Sequence, residues 1–314
     1  MDSHINRVEK SEHLLTETKV SEQKKRWTVM ELIRWSTEYL RERGFNDSRL
    51  TVELLLAHAL GCRRLDLYLQ FEKPLTEEEL ASFKSLLLRR LKHEPVQYIL
   101  GEAHFMGFSF TVEPGVLIPR PETEILVGEA LKYLSDVPTE NPRVLDVCTG
   151  SGNIAISLAK MSEKRIQVDA LDVSREALRV AAKNIEKHGV SEQVQLVHAD
   201  VMNDQLASLL DAPYDLIVSN PPYVPTSEIT QLEPEIQLYE PLSALNGGED
   251  GMRYISRIVK LTHELLLPQG MLIFEVGHDE AEKARALCDN EELVNVHIVK
   301  DYSGIERVVI ANRK

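Results

Sequence analysis

Asn220-Pro221-Pro222-Tyr223 is the stretch of this sequence best suited to chemistry. The Asn220 side-chain oxygen and the Pro221 carbonyl can each accept one N–H. Together they would orient a planar –NH2 group, a poor nucleophile because its lone pair is delocalised, towards an electrophile. The prolines restrict the backbone and supply no N–H donor, which favours outward-facing carbonyls. Tyr223 offers a flat face for stacking on the same group. A fixed string of this length arises by chance at on the order of 1 in 100,000 positions. A rigid proline turn would account for Pro221 and Pro222 but gives no reason for Asn220 and Tyr223.

A second set of residues has the spacing of a nucleoside site. Cys148-Thr149-Gly150-Ser151-Gly152 follows the apolar run Val144–Val147 and precedes a helical run from Asn153. Glycines there let the backbone approach a ligand at a helix N-terminus. Asp172 closes the next apolar run, about 20 residues on, where a carboxylate can accept both hydroxyls of a ribose. Asp200 ends the run after that and is placed to reach an adenine amino group. The competing readings are a tight strand-to-helix turn, an acidic residue near a helix cap and a loop-capping aspartate.

These residues need a scaffold that brings loop ends together, and the pattern supplies one. Val144–Val147, Val168–Leu171, Val194–Val197, Leu216–Val218 and Leu272–Val276 read as strands, separated by helices such as 174–188 and 251–267. That alternation predicts an α/β domain with a mainly parallel sheet. Ahead of it, Thr28 with Glu31 forms a capping box for a helix that ends at Gly44, a second helix runs from Ser48 to Leu60, and the Thr76/Glu79 box starts a third that stops before Pro95. Between Pro95 and Pro121, aromatic residues broken by glycine and proline predict a short hairpin. The resulting division is a flexible polar tail at 1–26, a helical domain at 27–94, a hairpin linker at 95–120 and the α/β domain at 121–314.

Composition narrows the function. The 314 residues include 43% apolar and 27% charged residues, a globular balance. With 36 Lys and Arg against 50 Asp and Glu the net charge is −14, which disfavours bulk nucleic-acid binding. Cys62, Cys148 and Cys288 are three and far apart, with no CxxC pair, so neither a disulfide framework nor a zinc site is indicated, no metal is expected, and a reducing, cytoplasmic setting fits. The charged N-terminus is no signal peptide, and no run of about 18 apolar residues would span a membrane.

The NPPY tetrapeptide after a strand, with Glu94–Gly101 (EPVQYILG), Pro114–Thr123 (PGVLIPRPET) and Asn246–Gly251 (NGGEDG), resembles the class I S-adenosylmethionine-dependent methyltransferases, and within them the PrmC/HemK-type release factor glutamine methyltransferases. The resemblance covers residues 27–314. It implies a Rossmann-like seven-stranded sheet whose last strands, near Val294–Val299 and Arg307–Ala311, include an antiparallel one, joined to an N-terminal helical substrate-recognition domain and a hairpin linker.

Carried over by position, the resemblance implies that Thr149, Gly150, Ser151 and Gly152 wrap the methionine part of S-adenosylmethionine, with Cys148 also among the cofactor-binding residues, that Asp172 holds the ribose, and that Asp200 with Val201 holds the adenine. Asn220, beside the donor, would with Pro221, Pro222 and Tyr223 hold the substrate glutamine, Asn220 and Pro221 being the catalytic pair. Cys148 stands where the family often has glycine, and Val201 where an aromatic residue can stand. Arg120 and Glu122 fall at the pocket edge or form linker salt bridges.

The implied reaction is methylation of the glutamine side-chain nitrogen in the Gly-Gly-Gln loop of bacterial class-1 peptide chain release factors, leaving S-adenosylhomocysteine. Two rivals remain at this stage. An N6-adenine methyltransferase acting on DNA or RNA would present the same two N–H groups, but must flip a base and grip the backbone with Lys and Arg. A non-catalytic S-adenosylmethionine-binding partner protein would be expected to have a damaged NPPY, and this one is intact.

Overall fold

Helix ends in the N-terminal part are set by short-range capping. The Thr28 hydroxyl accepts from the Glu31 N–H at 3.3 Å while the Glu31 carboxylate accepts from the Thr28 N–H at 3.0 Å, and α1 follows over Val29–Arg41. The reciprocal pair satisfies two N–H groups that a helix start leaves without partners. α2 spans Ser48–Leu60 and stops at Gly61 in the left-handed conformation. α3 is the short Arg64–Tyr68, and α4 covers Glu77–Arg90, started by the Thr76/Glu79 box. The computed structural model describes residues 26–314. The tail expected at 1–26 therefore lies, but for Arg26, outside the described residues.

The chain divides into two units, the first ending at Leu88 and the second running Arg89–Lys314. In the first, the apolar faces of α1 and α2 are buried, among them Leu32, Leu40, Val52, Leu55 and Leu56. Glu53 is buried as well, its carboxylate accepting from Arg49, Arg64 and Tyr68. Three donors on one carboxylate offset the cost of taking that charge out of water.

The second unit opens with α5 (Val96–Leu100), a five-residue helix inside the segment expected to form only a hairpin. The expected hairpin follows as β1 (Glu102–Phe105) and β2 (Phe108–Thr111), with Phe105 opposite Phe108. Met106 and Gly107 both have positive φ, as a two-residue turn between twisted strands requires. Phe105 and Phe110 are buried in the same core as Leu126, Val127 and Ile154. At about 1.5–3 kcal/mol for each buried phenylalanine, that contact anchors the hairpin to the second unit.

A helix α6 (Thr123–Asp136) leads into the sheet: β3 (Arg143–Val147), α7 (Asn153–Met161), β4 (Gln167–Asp172), α8 (Arg175–His188), β5 (Val194–His198), α9 (Leu206–Leu209) and β6 (Tyr214–Ser219). After β6 come β7 (Val224–Pro225), α10 (Pro234–Tyr239), β8 (Asn246–Gly248), α11 (Arg253–Leu265), β9 (Leu266–Glu275), α12 (Ala281–Asn290), β10 (Val294–Lys300) and β11 (Glu306–Asn312). The seven-stranded order is β10-β11-β9-β6-β3-β4-β5, and β11 runs antiparallel to both neighbours. The α/β reading and its reversed strand near the C-terminus are borne out. The helix expected over 251–267 is shorter, because Leu266 already pairs with Tyr214 of β6 and the chain enters the sheet ahead of Pro268.

Candidate active site

Sheet register gathers the chemistry-bearing residues. Val147 of β3 lies opposite Ser219 of β6, and Ser219 lies opposite Phe274 of β9. The residues that follow these three are Cys148, Asn220 and Glu275, the first two just past their strands and the last ending β9. The chain travels outward from β3 through β4 to β5 and returns to β6 on the other side of β3. Ligands of open parallel sheets bind at such a reversal, beyond the carboxyl ends of the strands.

A cleft of about 930 Å³, open mouth included, sits there. It is lined by Cys148, Thr149, Gly150, Ser151, Asp172, Asp200, Val201, Asn220 and Pro222 among others. Gly152, Pro221 and Tyr223, also singled out by sequence, are not among its lining residues. Gly152 and Pro221 are buried and Tyr223 is half-buried.

The glycine turn is held from three directions. The Gly150 N–H donates to Asp172 Oδ2 at 2.9 Å, and the Ser174 N–H to Asp172 Oδ1 at 2.8 Å. Burial pushes the Asp172 pKa up, and these backbone donors hold it down. The Thr149 hydroxyl and the Ala155 N–H both donate to Asp146 Oδ2, at 2.6 and 3.2 Å. Burial raises the Asp146 pKa to about 7 against those two bonds, with the Asp172 charge adding to the rise. From the far side, Asn184 donates its Nδ2 to the carbonyls of Ser151 and Thr111 and accepts from the Thr111 N–H, so one buried amide joins the turn to β2.

Cys148 has φ 63°, the left-handed region in which glycine is at ease. A glycine would adopt that conformation without strain. Burial, then the charges of Asp172, Asp146 and Asp200, push its thiol well above the ordinary range. The thiol is thus a compact neutral wall and not a reactive group. Asp172 and Asp200, which line the cleft, place acidic groups where a cationic ligand is favoured.

Asp200 lines the cleft and also caps its own loop, its Oδ1 accepting from the Met202 N–H at 2.8 Å. Val201 is buried at the same wall, its carbonyl accepting from Arg257 Nε at 3.1 Å.

The NPPY segment is fixed by residues that sequence reasoning passed over. Asn220 Nδ2 donates to Thr123 Oγ1 at 3.1 Å. The Thr123 hydroxyl donates to Glu275 Oε2 at 2.6 Å, and the Tyr223 hydroxyl to Glu275 Oε1 at 2.9 Å. Burial raises the pKa of Glu275, and the two hydroxyl donors hold it down. The phenol of Tyr223 is therefore anchored at its hydroxyl end. One signal could have pointed to Glu275: it is the sole charge in the apolar strand Leu272–Val276.

The Asn246–Gly251 segment packs directly on this loop. Val224 donates its N–H to Leu245 O, and Thr226 its N–H to Gly248 O, both at 2.8 Å. A Cβ on Gly247 would stand 2.6 Å from Tyr223 Cα, so only glycine permits that approach. Arg120 lines the cleft, with its guanidinium on the buried Glu240 at 2.5 Å, whereas Glu122 is exposed and is not among the lining residues. Val116, Leu117, Val173 and Tyr254 are further lining residues that sequence reasoning did not single out.

Residues 31–101 match the family described as PrmC N-terminal domain, and residues 124–235 the one described as methyltransferase small domain. A protein of Chlorobaculum tepidum named release factor glutamine methyltransferase is 41% identical over 288 residues, 91% of this chain and 97% of its own. One of the same name from Geobacter sulfurreducens is 41% identical across 90% of this chain and 96% of its own. A third, from Bacillus subtilis, is 34% identical across 90% and 97%.

Proposed function

The chain belongs to the release factor glutamine methyltransferase family, and from that premise we propose how its residues divide the work. The enzyme methylates a release-factor glutamine on its side-chain nitrogen, with S-adenosylmethionine as donor. When bound, that cofactor supplies an electrophilic methyl group on a positively charged sulfur. The cleft's residues fit it: Asp172 accepts one backbone N–H on each oxygen and keeps lone pairs for two ribose hydroxyls. Asp172 and Asp200 along the cleft favour a cation. Thr149 to Gly152 cradle the chain of the donor, and Asp200 with Val201 borders its base.

Asn220 and Pro221 act on the other partner. The Asn220 side-chain oxygen and the Pro221 carbonyl each accept one N–H of the glutamine amide, which turns the nitrogen lone pair towards the donor. The same two oxygens stabilise positive charge as it develops on that nitrogen. No dedicated base is required, since the alkylated nitrogen is acidic and loses its proton to water. Pro222 and Tyr223 complete the glutamine site.

The observation that carries this assignment is that Asn220 and the Thr149–Ser151 turn line one cleft at the sheet's reversal point. On this reading the acceptor is the glutamine of the Gly-Gly-Gln loop of class-1 release factors, residues 27–94 contact the factor, and the enzyme works in the cytoplasm without stable binding to nucleic acid or membrane. Adenine methylation is not favoured, given relatives of one name over nine-tenths of the chain and a net charge of −14. The test is transfer of labelled methyl to a release factor and to its Gln→Ala loop variant.

A further inference from the structure

We infer that Thr123 and Glu275 are positioning residues that fix which end of the Asn220 amide faces the substrate. The inference rests on the proposed role of Asn220 and extends it to two residues from distant parts of the chain.

The two ends of a side-chain amide are nearly alike in size, so shape alone does not choose between them. Hydrogen bonding does. The Glu275 carboxylate, buried at the end of β9, accepts from both Thr123 and Tyr223, and the Thr123 hydroxyl gives it the one proton that Thr123 owns, at 2.6 Å. Thr123 Oγ1 is then left with lone pairs alone towards Asn220, and it accepts from Nδ2 at 3.1 Å. A flipped amide would bring Oδ1 against Thr123 Oγ1 with no proton between them. The relay therefore leaves Oδ1, an acceptor, for the N–H of an incoming amide. Tyr223 holds the second Glu275 oxygen at 2.9 Å, so both carboxylate oxygens are engaged.

Glu275→Gln inverts the relay. With its oxygen kept by the Tyr223 hydroxyl, the new Nε2 donates to Thr123 Oγ1, the Thr123 proton turns to Asn220, and Asn220 must present Oδ1 to Thr123 and Nδ2 to the cleft. A donor then faces a donor. Thr123→Val removes the relay at constant shape, and Thr123→Ser keeps it.

The experiment measures kcat, KM for release factor, S-adenosylhomocysteine affinity and melting temperature for the wild type and these three variants. Glu275→Gln and Thr123→Val should each lower kcat at least about tenfold while S-adenosylhomocysteine affinity stays within about twofold, and Thr123→Ser should restore kcat to within about threefold. A Thr123→Val enzyme with wild-type kcat would overturn the inference, as would a loss in Thr123→Ser equal to that in Thr123→Val. A melting temperature lowered in Glu275→Gln leaves the Thr123 pair to decide. If the wild type itself transfers no methyl to release factor, the functional reading fails first, and the two failures are told apart.

Discussion

The Asp172 carboxylate and the Gly150 backbone N–H meet at 2.9 Å, so the residue assigned to the ribose also holds the turn assigned to the methionine part. Removing it strikes the donor site twice. Asp172→Ala should raise the dissociation constant for S-adenosylhomocysteine by about 10- to 100-fold or more, since hydrogen bonds to a charged group contribute about 1.5–3 kcal/mol each. Calorimetric titration checks this, with Asn220→Ala as the contrast: there the affinity should stay within about threefold while turnover is lost. Equal weakening in both variants would contradict the division of roles.

Much of this arrangement is legible in sequence because the central strands are buried on both faces and read as continuous apolar runs. Asp172, Asp200 and Asn220 each follow the apolar run of their own strand, which is how they fall at one edge. What sequence does not carry is pairing over distance. Thr123 and Glu275 are 152 positions apart, and only the β6–β9 register and the start of α6 bring them together. Likewise α3 and α5 have five residues each, too few turns for a helical period to register.

Gly251 tests the packing behind the NPPY loop. It has φ 81°, and a Cβ there would collide with Glu280 Oε1 and with the Tyr223 carbonyl, a backbone atom that cannot step aside. Gly251→Ala should cost about 2–4 kcal/mol, left-handed strain and crowding combined, and lower turnover through a displaced Tyr223. Gly189→Ala is the control: φ is 66° with nothing within 4 Å of the added carbon, so it should cost only about 1 kcal/mol, with turnover kept. Denaturant unfolding of the two variants measures the difference, and equal losses would assign the whole effect to strain.

Glu280 gives the protein a pH dependence with a definite sign. It is buried, its Oε2 accepts from the Gly277 N–H at 2.9 Å, and Oε1 has no hydrogen-bond partner among the described residues. Burial raises its pKa to about 7, opposed by the Gly277 N–H and Lys283, with Glu228 and Asp250 adding to the rise. The folded state thus holds a proton that the unfolded chain releases near its ordinary value of about 4.3. The stabilisation is complete below that value and is lost as pH rises through about 7. Asp146, also raised to about 7, contributes in the same window. Glu280→Gln removes one share, so the variant's stability relative to wild type should improve by about 1–3 kcal/mol between pH 5 and about 8. Unfolding curves across that range decide the matter, and parallel pH profiles would count against a buried protonated Glu280.

The most direct measurement is methyl transfer itself. Methyl-labelled S-adenosylmethionine is incubated with the enzyme and, separately, a class-1 release factor, its loop Gln→Ala variant and duplex DNA. Label should appear on the intact release factor alone, and the Asn220→Ala enzyme should give none while still binding S-adenosylhomocysteine. Label on DNA, equal label on the Gln→Ala factor, or near-normal transfer by Asn220→Ala would contradict a site in which Asn220 presents a glutamine amide to the donor.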